Sequence, residues 1–146
     1  MATFAAHAAS DAGYPYYGSI RSGTVFMREG PSAEHKVKWV YRHRGLPVEV
    51  IAGYDVWRQV RDQDGETGWM HISMLSRDRT AVIIGTSAAP VRRRAPSDEP
   101  VIAYAESGAI GRLETCEAVS CRMVFGNVDG WVDRARLWGI RSNEKF

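Results

Sequence analysis

The sequence predicts an all-β protein built from two copies of one small module. Three observations carry that expectation. The first is an internal repeat. Met27-Arg28-Glu29-Gly30-Pro31-Ser32 is echoed by Val91-Arg92-Arg93-Arg94-Ala95-Pro96, and Gly68-Trp69-Met70 by Gly130-Trp131-Val132. Leu46-Pro47-Val48-Glu49-Val50 is echoed by Ala109-Ile110-Gly111-Arg112-Leu113, each directly after a glycine, and Leu75 by Leu137. Trp57-Arg58-Gln59-Val60 aligns with Cys121-Arg122-Met123-Val124. The offsets stay between 62 and 64 residues (131 − 69, 108 − 45, 92 − 28), a period that suits one small domain per repeat rather than a solenoid. The second observation is a succession of short apolar runs separated by turn residues, which suggests a small barrel or sandwich. The third is the lack of any sustained apolar stripe at helical spacing.

Taken in order, residues 1–22 show no periodicity and carry Gly13, Pro15 and Gly18, so they are expected to be a flexible segment without regular structure. Within it, Tyr14, Tyr16 and Tyr17 form an aromatic trio of the kind that docks on a barrel surface. Ala6-His7-Ala8 has the small-x-small form of an export cleavage site, but neither a basic region nor an apolar core precedes it. It reads equally as the remnant of an export signal or as a low-complexity tail. The first repeat is placed at residues 23–80. Val48 and Val50 alternate as in a half-buried strand, and Trp57 and Val60 are both expected to point broadly inward. Asp62-Gln63-Asp64-Gly65 is a turn, because Asp-Gly tolerates positive φ at low cost. Gly68-Trp69-Met70-His71 resumes a strand, and Ser73-Met74-Leu75-Ser76 reads as a single 3₁₀ turn. Ala81-Val82-Ile83-Ile84-Gly85 is a strand that opens the second repeat, residues 81–146, and so short a connection predicts that the modules pack together. There the turn falls at Gly126-Asn127 and the 3₁₀ turn at Arg134-Ala135-Arg136-Leu137.

Composition narrows the function classes. The chain has 146 residues, 45% hydrophobic and 25% charged, with a net charge of +2. So small a charge provides no strong field for nucleic acid or anionic lipid, and the runs Arg42-His43-Arg44 and Arg92-Arg93-Arg94 read as solvated loops. No apolar run approaches the length of a membrane span. Two modules of about 60 residues have thin cores and draw support from each other, a disulfide or a ligand.

Arg28-x-Gly30-Pro31-Ser32, Gly45-x-x-Val48-x-Val50, Trp57-x-x-Val60, Gly65 and Gly68-Trp69 resemble the signature of bacterial SH3-like (SH3b) domains, in order and spacing, over residues 23–75. A more divergent copy covers residues 87–140, with Arg94 and Ala95 in place of the Gly-Pro pair and Cys121 in place of the Trp. The closing Leu137-Trp138-Gly139 resembles exported two-repeat members from Gram-negative bacteria. The resemblance implies two tandem SH3-like barrels and a binding role, with no catalytic residue to carry over and no cofactor. Its members attach to cell-wall peptides or accompany envelope enzymes.

Cys116 and Cys121 stand five residues apart. An even count in an exported protein fits a disulfide across a short turn at residues 117–120; reduced core thiols and a metal site are the other readings, the last short of ligands. A nucleophilic cysteine of the cell-wall peptidase kind finds every histidine upstream of it and no helix to present it. His71 is by default a hydrogen-bonded structural residue, with ligand contact as its other role. Trp57, Trp69 and Trp131 fall where strands pack and are expected in the core, although an indole can show one edge to a groove. Trp39, Tyr41 and Tyr54 flank loops and are candidates for exposed contact, with Glu29, Glu34, Asp55 and Asp62 as acidic neighbours.

The expected ligand-binding set is therefore Glu29, Glu34, Trp39, Tyr41, Tyr54, Asp55, Trp69 and His71. It lies in a cleft between residues 29–35 and 53–56 of the first repeat and suits an extended, partly cationic peptide. The function this predicts is a non-enzymatic binding or scaffold module of the periplasm or cell exterior. Its partner is a peptide, a peptidoglycan stem peptide or an envelope protein, not nucleic acid. The alternatives are a targeting module for a separate cell-wall enzyme, or a cytoplasmic interaction module.

Overall fold

The computed structural model describes residues 13–94 and 100–146. The expectations for Ala6-His7-Ala8, and for Ala95 and Pro96 of the repeat, lie outside these. The chain divides into two compact units, Met1–Arg77 and Asp78–Phe146.

The first unit contains β1 (Tyr16–Ile20), β2 (Val25–Arg28), β3 (Val37–Tyr41), β4 (Pro47–Tyr54), β5 (Trp57–Arg61), β6 (Thr67–His71), a 3₁₀ turn at Ile72–Met74 and β7 (Leu75–Ser76). They form one sheet in the order β3-β2-β6-β5-β4-β1-β7. The second unit contains β8 (Thr80–Ile83), β9 (Ala89–Arg92), β10 (Val101–Ala105), β11 (Ile110–Cys116), β12 (Ser120–Phe125), β13 (Val128–Asp133), a 3₁₀ turn at Arg134–Arg136 and β14 (Leu137–Trp138). Its sheet order is β10-β9-β13-β12-β11-β8-β14. The topology of the second sheet is that of the first with seven strands added, so the sequence repeat is a repeat of structure. Both 3₁₀ turns overlap the stretches read from the sequence, although Leu75, Ser76 and Leu137 fall in the short strands that follow.

Period-two alternation supplies each core. In β2, Val25 and Met27 are buried while Phe26 is exposed. Ile20, Val25, Met27, Val48, Val50, Val60 and Met70 close the first core. Each such side chain contributes about 1.5–3 kcal/mol by leaving water. The second core is built by Ala81, Ile83, Val91, Leu113, Met123 and Val132, with both cysteines.

The repeated Gly-Trp pair has a steric cause. A Cβ on Gly68 would collide with the Met27 side chain and come within 2.9 Å of the Arg28 carbonyl oxygen. A Cβ on Gly130 would lie 2.6 Å from Val91 Cγ1 and 2.7 Å from the Arg92 carbonyl oxygen. Each glycine lets β6 or β13 pair closely with its sheet neighbour β2 or β9.

Two expectations about the strands need correction. Residues 16–20 are not unstructured: they form β1, whose Tyr16–Ser19 pair with β4 and whose Ser19 and Ile20 pair with β7. Gly18, Ser19 and Ile20 are buried there. The repeat alignment around Trp57 also shifts by one residue. Val60 faces Gly68 and Met123 faces Gly130, whereas Trp57 faces His71 and Ser120 faces Asp133. Cys121 therefore stands at the place of Arg58, and Ser120 at that of Trp57.

Candidate binding face

The outer face of β4, β5 and β6 is aromatic. Residues directly opposite in neighbouring strands project to the same side of a sheet. One row runs Tyr54, Trp57, His71. The next runs Gln59, Trp69 and, on β2, Arg28. Trp57 and His71 meet edge to face with ring centroids 5.3 Å apart, a geometry that aligns a ring edge with a π face. Tyr54 is 63% exposed at the tip of the β4–β5 hairpin, next to Asp55, which takes positive φ (54°) to close the turn. In the second unit the positions of Trp57 and His71 hold Ser120 and Asp133, and only Trp131 repeats Trp69.

His71 has a structural task on this face. It caps the 3₁₀ turn, its Nδ1 accepting from the Ser73 N–H at 3.1 Å and lying 2.8 Å from Ser73 Oγ. With Nδ1 an acceptor, the neutral ring keeps its proton on Nε2.

The other expected ligand residues divide. Glu29, Glu34 and Asp55 are exposed. The loop bearing the first two is braced: the Glu29 N–H donates to the Lys36 carbonyl at 2.9 Å, and Arg28 Nη1 donates to the His35 carbonyl at 2.9 Å. Trp39 is 52% exposed on edge strand β3, paired with core-facing Met27, so it lies on the side opposite Trp69.

Tyr41 is not an exposed contact. It is 6% exposed, and its hydroxyl donates to Asp62 Oδ2 at 2.6 Å. Asp62, read as a solvated turn residue or the acidic side of a groove, is buried as well; its Oδ1 accepts from the Asp64 and Glu66 N–H groups at 2.9 Å. Burial, then the hydrogen bond to Asp62 and the charge of that carboxylate, push the Tyr41 phenol far above its ordinary 10.0, so it stays a donor. Trp57, Trp69 and Trp131 are only half-buried, so none is the core residue the sequence suggested.

Cys116 and Cys121 form a disulfide between directly paired residues of β11 and β12. Both are buried, and neither sulfur is free as a nucleophile or a metal ligand.

The model of the bacterial SH3 domain matches residues 21–77 and again residues 86–139. The chain belongs to the bacterial SH3 domain family. Its two SH3 domains correspond to the two sheets, and β1 lies just ahead of the first matched segment. No curated protein matches the chain. Among solved structures, NlpC2 of Trichomonas vaginalis is similar at 12% identity and a TM-score of 0.38, over 85% of this chain and 48% of that one. NlpC1 of the same organism gives 12%, 0.38, 84% and 45%. An NlpC/P60 family protein from Bacillus cereus gives 12%, 0.39, 86% and 57%. The SH3 pair thus spans about half the length of each. Among the described residues, no helix is long and apolar enough to cross a membrane.

Proposed function

We propose that the chain is a non-enzymatic binding module of the cell envelope, and that its first SH3 domain holds an extended peptide, a wall stem peptide or a segment of a protein partner, on the aromatic outer face. The observation that carries this reading is the cross-strand row Tyr54, Trp57, His71 with Trp69 beside it. Flat, half-exposed rings bury area at little conformational cost, which suits them to peptide contact. That the second unit has Ser120 and Asp133 in place of Trp57 and His71 favours the first domain as the binder. The buried disulfide supports an oxidising compartment, the periplasm or the exterior.

Co-sedimentation with purified peptidoglycan sacculi and titration with soluble stem peptide test the reading. Tyr54→Ala and Trp69→Ala should each weaken binding by about 1–2 kcal/mol without lowering helix-free β content. Tyr104→Ala, which removes an exposed aromatic from the second domain, should leave it unchanged. Loss of binding in Tyr104→Ala with Tyr54→Ala and Trp69→Ala intact would assign the wrong domain.

A further inference from the structure

A pocket of about 290 Å³ opens at one end of the first unit, at the small end of the range for ligand sites. Three arginines line it: Arg21 beyond β1, Arg58 on β5 and Arg77 beyond β7. Tyr14, Tyr16 and Leu75 supply apolar wall. On β5, Arg58 alternates with Trp57, so the pocket lies on the other side of the strand from the aromatic face.

Each guanidinium is held without being neutralised. Arg21 Nε and Nη2 donate to the Leu75 carbonyl at 3.1 and 3.0 Å. Arg58 Nη1 donates to the Asp55 and Trp57 carbonyls at 2.8 and 2.9 Å. The Arg77 guanidinium stacks 3.6 Å above the Tyr16 ring. A guanidinium has five N–H donors, so each keeps donors beyond these contacts. Among the described residues none of the three forms an ion pair, whereas Arg61, Arg79, Arg112 and Arg122 each do. Among the described residues, no carboxylate lines the pocket.

The second unit shows that the barrel does not need these charges. The Arg21 N–H donates to the Met74 carbonyl as the Ile84 N–H donates to that of Arg136, so Ile84 is the counterpart of Arg21. Arg58 faces Gly53 as Cys121 faces Cys116. Ser76 faces Ser19 as Trp138 faces Val82, so Gly139 follows where Arg77 does. Ile84, Cys121 and Gly139 thus replace three arginines, and a buried disulfide fills the place of Arg58 and Gly53. In the first unit Tyr14 lies over Gly53, where any Cβ would collide with its hydroxyl.

We infer that this pocket binds a carboxylate carried by a peptide, either its terminal carboxylate or an acidic side chain. Convergent guanidinium forks match a carboxylate's two oxygens, and the tyrosine and leucine walls suit the organic group attached to it, which inorganic phosphate lacks. The site is independent of the aromatic face.

Calorimetric titration of the full chain tests it with four probes: acetyl-Ala-Ala with a free terminal carboxylate, the same peptide as its amide, acetyl-Ala-Glu-amide, and inorganic phosphate. One or both carboxylate peptides should bind, and the tighter identifies the source. Arg58→Gln and Arg77→Gln should each weaken that binding about tenfold, as loss of a charge-assisted hydrogen bond does. Arg77 donates no backbone bond, so its variant reports on the ligand rather than the fold. Trp69→Ala should leave this binding unchanged, which separates the pocket from the aromatic face. The inference is overturned if no carboxylate probe saturates, if the uncharged amide or phosphate binds as tightly, or if both arginine variants retain full affinity.

Discussion

At the residue scale, the pair Tyr41 and Asp62 shows how a polar contact can serve the core. Asp62 stabilises its own turn through two backbone N–H groups, and the Tyr41 hydroxyl supplies the third hydrogen bond to a buried carboxylate. Tyr41→Phe removes only that donor. It should destabilise the first unit by about 1–2 kcal/mol, because the carboxylate stays buried with one partner fewer. Chemical denaturation of the variant checks this, and a change within error would mean that water replaces the phenol. The sequence offered Tyr41 as a surface residue because it flanks the Arg42-His43-Arg44 run. Trp39, two residues earlier on the same side of β3, is exposed, so period two alone does not mark Tyr41 as inward. Trp57 and Val60 are three apart, so they cannot share a face of a regular strand, and Val60 is the one with no exposure.

At the element scale, the β11–β12 hairpin carries the disulfide. Its loop is short, so the loop-entropy contribution is about 2 kcal/mol. A Cys116→Ser, Cys121→Ser double variant should lower the unfolding free energy of the second unit by that amount, read from its denaturant midpoint and slope, and leave the first unit's transition in place. Thiol counting under denaturing, non-reducing conditions should find none free in the wild type, and two free thiols would refute the bridge. The five-residue spacing and the turn between made this pair readable in advance, because paired strand positions bring two β-carbons together. Strand β1 has a signal in the sequence: Ile83 falls in an apolar run that reads as a strand, and Ile20 lies 63 residues earlier (83 − 20), on the period of the repeat. The glycine and tyrosine content around Gly18 hid a strand that a consistent use of the period places there. Gly18 is needed because a Cβ would come 2.6 Å from the Ser76 carbonyl oxygen.

At the scale of the whole chain, each unit is fastened by contacts between residues far apart in sequence. In the second, Arg79 Nη1 and Nη2 grip Glu144 at 2.8 and 2.9 Å, and Nη2 also donates to the Gly139 carbonyl at 3.0 Å. The hydrogen bond from Arg79, against a desolvation cost, holds the Glu144 carboxyl below its ordinary 4.5. A carboxyl with a lowered folded pKa contributes its stability fully above the ordinary value, and that contribution is lost as pH falls through the folded value. Acid should therefore weaken the second unit through this pair, and Glu144→Gln should flatten that part of the pH dependence while costing about 1 kcal/mol or less at neutral pH, the pair being partly solvated. Thermal melts of wild type and variant from neutral pH down through the carboxylate range check it; parallel curves would exclude the pair as a source of acid sensitivity.

The sequence by itself determined the all-β class, the two-fold repeat, the turn positions and the 3₁₀ turns, and it favoured the cysteine pairing that the structure shows. All of these follow from local chemistry: alternation of apolar residues, backbone preferences of glycine and aspartate, and spacing across a short turn. The tertiary structure decided which face of each strand is buried, and therefore that Tyr41 and Asp62 serve the core while Trp57 and Trp69 face outward. It also decided that Arg21, Arg58 and Arg77 share one pocket. Arg58 lies on β5 while Arg21 and Arg77 directly follow β1 and β7, and only the order β5-β4-β1-β7 within the sheet brings their guanidinium groups together.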